Sequence, residues 1–113
     1  MSENILSVTK KLLGLSEEDH SFDLDVLIGI NSAIGTLAQL GVTGITNIEV
    51  DDTTSYSDLV ANEVILSMVK QYIYMKTRLA FDPPHSSVLS SFNEQIKELE
   101  WRMYTWSAVD KEE

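Results

Sequence analysis

Two adjacent prolines, Pro83 and Pro84, constrain this 113-residue chain more than any other feature. Neither has a backbone N–H, both have a fixed φ, and the residue before a proline is pushed out of the α region. A helix arriving from the N-terminal side must therefore stop near Phe81 or Asp82. Ser86 or Ser87 can cap the helix that follows by accepting a hydrogen bond from a free N–H of its first turn. Beyond that cap, Leu89, Phe92, Ile96, Leu99, Met103 and Trp106 recur at steps of 3, 4, 3, 4 and 3. This spacing draws one apolar seam along about five turns of helix at roughly 3.6 residues per turn. The remaining positions carry Ser90, Asn93, Glu94, Lys97, Glu98, Glu100 and Arg102, and the Glu98–Arg102 pair has the favourable order at a spacing of four. Phe81, Asp82, Pro83 and Pro84 thus read as a structural corner between two helices of a hairpin, 57–81 and 86–106.

The same reasoning extends upstream. Ser57 is positioned to cap a long helix to about Ala80. Leu59, Leu66, Val69, Ile73 and Leu79 or Ala80 lie on one side of it, and Val64, Ile65, Met68, Tyr72 and Met75 widen the stripe. So broad a stripe suits either a central helix covered by its own domain or one shared with a neighbouring subunit. A helix over Asp23–Leu40 follows from Leu27, Ile30, Ile34 and Leu37, with Leu24, Ile28 and Leu40 extending the face. Asp23 and Asp25 suit its positive end, and Gly41 suits its C-terminus. Gly29 and Gly35 weaken that helix by about 1 kcal/mol each relative to Ala. They either admit another backbone or are merely tolerated. Residues 2–14 predict a short helix with Ser2 as cap and Gly14 as terminator, and Ser16–Asp19 resembles a capping box that starts a further turn or helix. The segment 42–56 breaks the pattern. Its β-branched first half suggests an extended arm or a short strand, and Asp51–Tyr56 is turn-like. The arm is either an ordered contact element or a plain connection. The fold class expected is all-α, a small bundle of about four helices in a single domain over 1–113, with the extended arm or loop at 42–56.

Composition sets the chemistry. Eighteen acids against eight bases leave a net charge of −10. No Lys or Arg occurs between Lys11 and Lys70, an interval holding ten acids. Such a surface repels phosphate, which argues against tight binding of DNA. Its bland purpose is solubility and favourable helix N-termini; its sharper one is a wall that DNA slides past. With no cysteine there is no disulfide or thiolate metal site, which fits a reducing cytosol or a particle assembled there. No apolar run approaches the roughly 20 residues of a membrane span, and Met1–Asn4 lacks the basic region of a signal peptide. The chain carries no phosphate-binding glycine loop, dinucleotide turn, zinc-protease helix or nucleophile elbow. His20 and His85 stand 65 residues apart without a patterned third ligand. Asp51–Asp52 lacks the oxygen spacing and glycine of a calcium loop. No enzyme activity, cofactor or metal is expected. Trp101 and Tyr104 lie off the last helix's seam, either as interface anchors or as further core.

The strings Tyr56-Ser-Asp-Leu59, Lys70-Gln-Tyr-Ile-Tyr-Met-Lys-Thr-Arg-Leu-Ala-Phe-Asp-Pro-Pro84 and Ile96-Lys-Glu-Leu-Glu-Trp-Arg102 resemble the head–tail connector family of long-tailed phages, also called adaptor or head-completion proteins. Ile28–Ala33 and Leu37–Gly41 add a weaker match, whereas 42–55 and the tail after Trp106 contribute little. The resemblance implies a non-enzymatic virion protein of the neck, assembled in the host cytoplasm. Such a subunit forms a ring, twelvefold in the virion, beneath the portal protein. It extends the DNA conduit, which DNA traverses without specific binding, and presents a surface to a stopper or tail-completion protein. On this reading Ile45, Ile48, Val50, Tyr56, Tyr72, Met75, Trp101 and Tyr104 are the candidate subunit or partner contacts. Glu17, Glu18, Asp19, Glu49, Asp51 and Asp52 are the candidate acidic channel lining. The rival class is a cytosolic acidic helical module that sequesters a basic protein.

Overall fold

A computed structural model describes residues 3–46 and 48–112, with side chains through Val109. Its elements are α1 (Ile5–Leu12), α2 (Asp23–Gln39), a single turn α3 (Tyr56–Leu59), α4 (Glu63–Phe81) and α5 (Ser86–Glu112). The described residues form no strand, so the all-α bundle expected from the sequence is the fold. Helix α4 is central, packing most extensively on α2 and then on α5, while α1 covers one flank of α2 and α4. Phe22 meets Phe81 and Gly29 meets Thr77, which sets α2 and α4 antiparallel. Helix α5, 27 residues and hence about 40 Å long, accounts for the 44 Å long axis of the molecule.

The sequence marks the helix ends well where glycine supplies the signal. Gly14 and Gly41 both adopt φ +81°. In each case the next N–H reaches back five residues, Leu15 to the Lys10 carbonyl and Val42 to the Leu37 carbonyl, satisfying a carbonyl the helix would leave bare. The starts differ from expectation. Ser2, the predicted cap of α1, lies outside the described residues. Asn4 caps the helix instead, its Oδ1 accepting from the Ser7 N–H at 2.9 Å. Ser16 closes only a turn, its hydroxyl accepting from the Glu18 N–H. Ser86 and Ser87 are already helical, and the His85 carbonyl accepts from the Val88 and Leu89 N–H groups. At the corner α4 stops at Phe81, Asp82 leaves the helical region with φ −150° and ψ 75° before Pro83, and Pro84 is buried. Helix α5 continues past 106 to Glu112.

The predicted single helix from Ser57 is broken. The Ser55 N–H donates to the Asp58 carboxylate at 3.0 Å and closes the one turn α3. The chain then extends at Val60, and α4 begins afresh with Asn62 Oδ1 accepting from the Val64 N–H at 2.8 Å. Two local preferences cause the break: a β-branched residue at 60 and a strong N-cap residue at 62. The gap is filled by the arm. Ile45 pairs with Val60 in antiparallel fashion, the Thr46 N–H donates to the Leu59 carbonyl at 2.7 Å, and the Ala61 N–H donates to the Gly44 carbonyl. Further along, Asn31 holds the arm as a second peptide would. Its Oδ1 accepts from the Val50 N–H at 2.8 Å, and its Nδ2 donates to the Val50 carbonyl at 3.0 Å. Asn4 and Ser55 form the last antiparallel pairing. The described residues of this segment, 42–46 and 48–56, therefore make an extended arm stapled to the bundle at three places, with no strand among them.

The α2 seam is also rotated from its expected position. Val26, Gly29, Ile30, Ala33, Ile34 and Leu37 face the core, whereas Leu24 and Ile28 are 71% and 60% exposed. Gly29 explains the rotation. A Cβ there would lie 2.9 Å from Thr77 Cγ2 and 3.2 Å from Thr77 Cα, so the two helices cross on the missing side chain. Gly35 has nothing near it and faces outward.

Candidate interaction surfaces

The eight residues proposed as contacts divide by burial. Tyr72 and Met75 on α4, Tyr56 on α3 and Val50 in the arm all lie in the subunit's own core. Tyr72 donates its hydroxyl to Glu100 Oε2 at 2.6 Å, joining α4 to α5. Burial, reinforced by that carboxylate, pushes the Tyr72 phenol well above the ordinary tyrosine range; burial does the same to Tyr56. The Lys70 ammonium sits 5.4 Å from the Tyr56 ring centre and pairs with Glu3. Ile45 and Ile48 are half-buried against the same core. Trp101 and Tyr104 alone among the eight are exposed, at 66% and 54%. They sit one turn apart on α5 beside Leu40, the residue that closes α2, with Lys97 and Glu100 at the rim.

The six acids proposed as a lining are all exposed, on two loops. One loop, carrying Glu17, Glu18 and Asp19, is anchored by Lys10. The Lys10 Nζ donates to the Asp19 carbonyl at 2.7 Å and the Glu17 carbonyl at 3.2 Å, and pairs with Asp23 at 2.8 Å. The second loop, carrying Glu49, Asp51 and Asp52, is shaped by Asp51. Its Oδ1 accepts from the Thr53 hydroxyl at 2.6 Å, the Thr53 N–H at 2.8 Å and the Thr54 hydroxyl at 3.1 Å. These donors, the Thr53 hydroxyl first, hold the Asp51 carboxyl below the usual carboxylate range. Asn4 Nδ2 donates to the Asp52 carbonyl at 2.8 Å. Asn4 and Lys10 lie at opposite ends of α1, about 9 Å apart along its axis, so α1 carries one acidic loop at each end.

Sequence reasoning missed two features. Lys10 is 2% exposed although lysine is almost never buried unless paired. Its position four residues after Leu6 and three before Leu13, on the apolar side of α1, was the available signal. The other is a groove at the opposite end of α2 from Leu40. Phe22, Asp25, Ile28, Gly29, Ala80 and Phe81 line about 410 Å³ there, with the Phe22 and Phe81 rings edge to face at 5.3 Å. The expected α2 face had hidden it by assigning Leu24 and Ile28 to the core. The corner residues divide accordingly: Phe81 is half-buried against Phe22, Asp82 and Pro83 are exposed, and Pro84 is packed.

Among the described residues no three His, Asp or Glu side chains gather to hold a metal, and no helix is long and apolar enough to cross a membrane. Among the described residues, the surface features that the sequence pointed to or missed are therefore an exposed aromatic pair, an apolar groove and two acidic loops, all carried on a small all-α bundle. The family described as phage connector protein matches residues 5–109, and the chain belongs to that family. It is a structural phage protein. No curated protein and no solved structure matches the chain.

Proposed function

We propose that this protein is a ring-forming head–tail connector. It docks beneath the portal in the virion neck after assembly in the host cytoplasm, extends the DNA conduit, and joins the capsid to a stopper or tail-completion protein. The observation that carries this reading is the family match across residues 5–109. Its role is mechanical rather than enzymatic. In this reading Glu17, Glu18, Asp19, Glu49, Asp51 and Asp52 contribute an acidic wall. Like charge keeps phosphates off a conduit surface, whereas a basic lining would bind them and retard passage. The two acidic loops support this role by their exposure and by the anchoring that Lys10, Asn4 and Asp51 provide. Trp101 and Tyr104 are the exposed members of the proposed contact set and serve as anchors between subunits or toward a neck partner.

Native mass spectrometry of the protein alone, and mixed with the portal protein of the same phage, tests the proposal. A ring-sized addition to intact portal, twelve copies in the full form, is the expected result. A chain that stays a monomer or dimer and leaves intact portal unchanged would sink the connector reading and favour an acidic module that sequesters a basic protein.

A further inference from the structure

We infer that successive subunits meet head to tail through the two ends of α2: the Trp101–Tyr104 patch of one copy seats in the Phe22–Phe81 groove of the next. This inference rests on the ring-forming reading above and names the surfaces that such a ring uses. Three observations carry it. First, the patches lie at opposite ends of one rigid element. Leu40 closes α2 beside Trp101, and Phe22 opens it beside Phe81, about 27 Å away along the axis. A contact between unlike patches at opposite ends of a subunit is heterologous, the kind that propagates and closes into a ring.

Second, the shapes are unlike and suited. One end presents exposed rings standing off α5, with Trp101 at 66% exposed. The other end presents a groove of about 410 Å³ walled by two aromatic rings and floored by Gly29 and Ala80, with Leu24 exposed alongside it. Third, the rim charges are complementary. Glu100 on the Trp101 rim is half-buried and bonded to the Tyr72 hydroxyl, so Lys97 is the exposed charge of that rim. The groove's rim carries Asp25. Lys97 of one copy therefore faces Asp25 of the next.

The apolar surface available is modest. Each exposed aromatic side chain offers on the order of 100 Å², so the whole contact covers several hundred Å², short of the roughly 1,200 Å² at which stable interfaces begin. Free subunits then associate weakly, and the ring closes when a partner holds them side by side.

Chemical trapping tests this directly, because the chain has no cysteine of its own. Leu24→Cys and Tyr104→Cys replace exposed side chains, and circular dichroism checks that both variants fold. The two variants are mixed, one carrying a mass tag, and treated with a short bismaleimide, both free at high concentration and on intact portal. The expected product is the mixed dimer, one Leu24→Cys chain joined to one Tyr104→Cys chain, several-fold in excess of either like-with-like dimer. Lys97→Glu in the Tyr104→Cys chain should cut the yield several-fold, and Asp25→Lys in the Leu24→Cys chain should restore it. An excess of like-with-like product, or no product in either setting, overturns the contact. A ring that forms on portal without the mixed product overturns this contact and leaves the connector reading standing. The mixed product from free chains, with no addition to portal, does the reverse.

Discussion

Replacing Gly29 with Ala probes the close approach of α2 to α4 at Thr77, and Gly35→Ala supplies its control. Both glycines lie inside α2, so both substitutions gain helix propensity, about 0.8–1.0 kcal/mol each. They differ in what the new methyl meets. At position 35 it meets nothing within 4 Å. At position 29 it would stand 2.9 Å from Thr77 Cγ2 and 3.2 Å from both Thr77 Oγ1 and Cα. Thr77 is fully buried, and its Cα belongs to α4 itself, so a rotamer change cannot relieve the clash. The helices must part, and overpacking of this kind costs about 1–3 kcal/mol. Gly35→Ala should therefore stabilise by about 1 kcal/mol, and Gly29→Ala should range from neutral to about 2 kcal/mol destabilising.

The difference between the two variants carries the test, because the propensity gain cancels and leaves about 1–3 kcal/mol of packing. Urea unfolding followed by circular dichroism measures it, with equal m-values as the check that only stability moved. Thr77→Ala sharpens the test by removing both Cγ2 and Oγ1. The Oγ1 is buried with no hydrogen-bond partner among the described residues, so its loss breaks no bond. Combined with Gly29→Ala it should recover about 0.5 kcal/mol or more relative to additivity. Equal shifts for the two glycine variants, or strict additivity with Thr77→Ala, would refute the claim that Gly29 sets the α2–α4 crossing.

Two further predictions concern the buried charges and hydroxyls. Lys10→Met leaves two loop carbonyls without their donor and the Asp23 carboxylate with His20 as its remaining partner, and should lower stability by about 3 kcal/mol. Thermal unfolding reads the loss, and a shift under about 1 kcal/mol would contradict the anchoring role. Lys10 is also the first cause that holds the Asp23 carboxyl below its ordinary value. That contribution to stability is present above the unfolded carboxyl value and fades as pH falls through the lower folded one. Lys10→Met should therefore flatten the acid limb below about pH 4. At the alkaline end the sign reverses. Tyr56 and Tyr72 have phenols raised by burial, so the folded state keeps protons that the unfolded chain releases. Stability should fall as pH rises past about 10. Tyr72→Phe should reduce that slope at some cost at neutral pH from the lost bond to Glu100; an unchanged alkaline slope would refute the assignment.

The helices, the proline corner and both glycine terminators were legible because each rests on a local rule: a period, a missing N–H, a residue at ease with positive φ. What escaped was decided between segments. Val60 and Asn62 look like helix interior until the arm is seen filling the gap they open, through Ile45, Thr46 and Gly44. Tyr72 and Met75 read as contact anchors from the sequence because they lie off the main seam of α4, on a stripe broad enough for two neighbours. The bundle supplies neighbours on two sides, α2 and α5, and buries both residues. Trp101 and Tyr104 sit on a helix whose main helical neighbour is α4, and there the off-seam aromatics do reach solvent.

The α2 face shows why the candidate site was the harder half. Leu24, Leu27, Ile28, Ile30, Ile34, Leu37 and Leu40 spread over more than half the helix, so periodicity alone admits several orientations. Gly29 selects among them, because α4 can approach closest where α2 has no side chain. Turning that glycine inward turns Leu24 and Ile28 outward, and the groove beside Phe22 and Phe81 exists only as a consequence. A residue with no side chain thus determines which apolar residues make the core and which remain for a partner. A sequence pattern that scores side chains by hydrophobicity has no term for it.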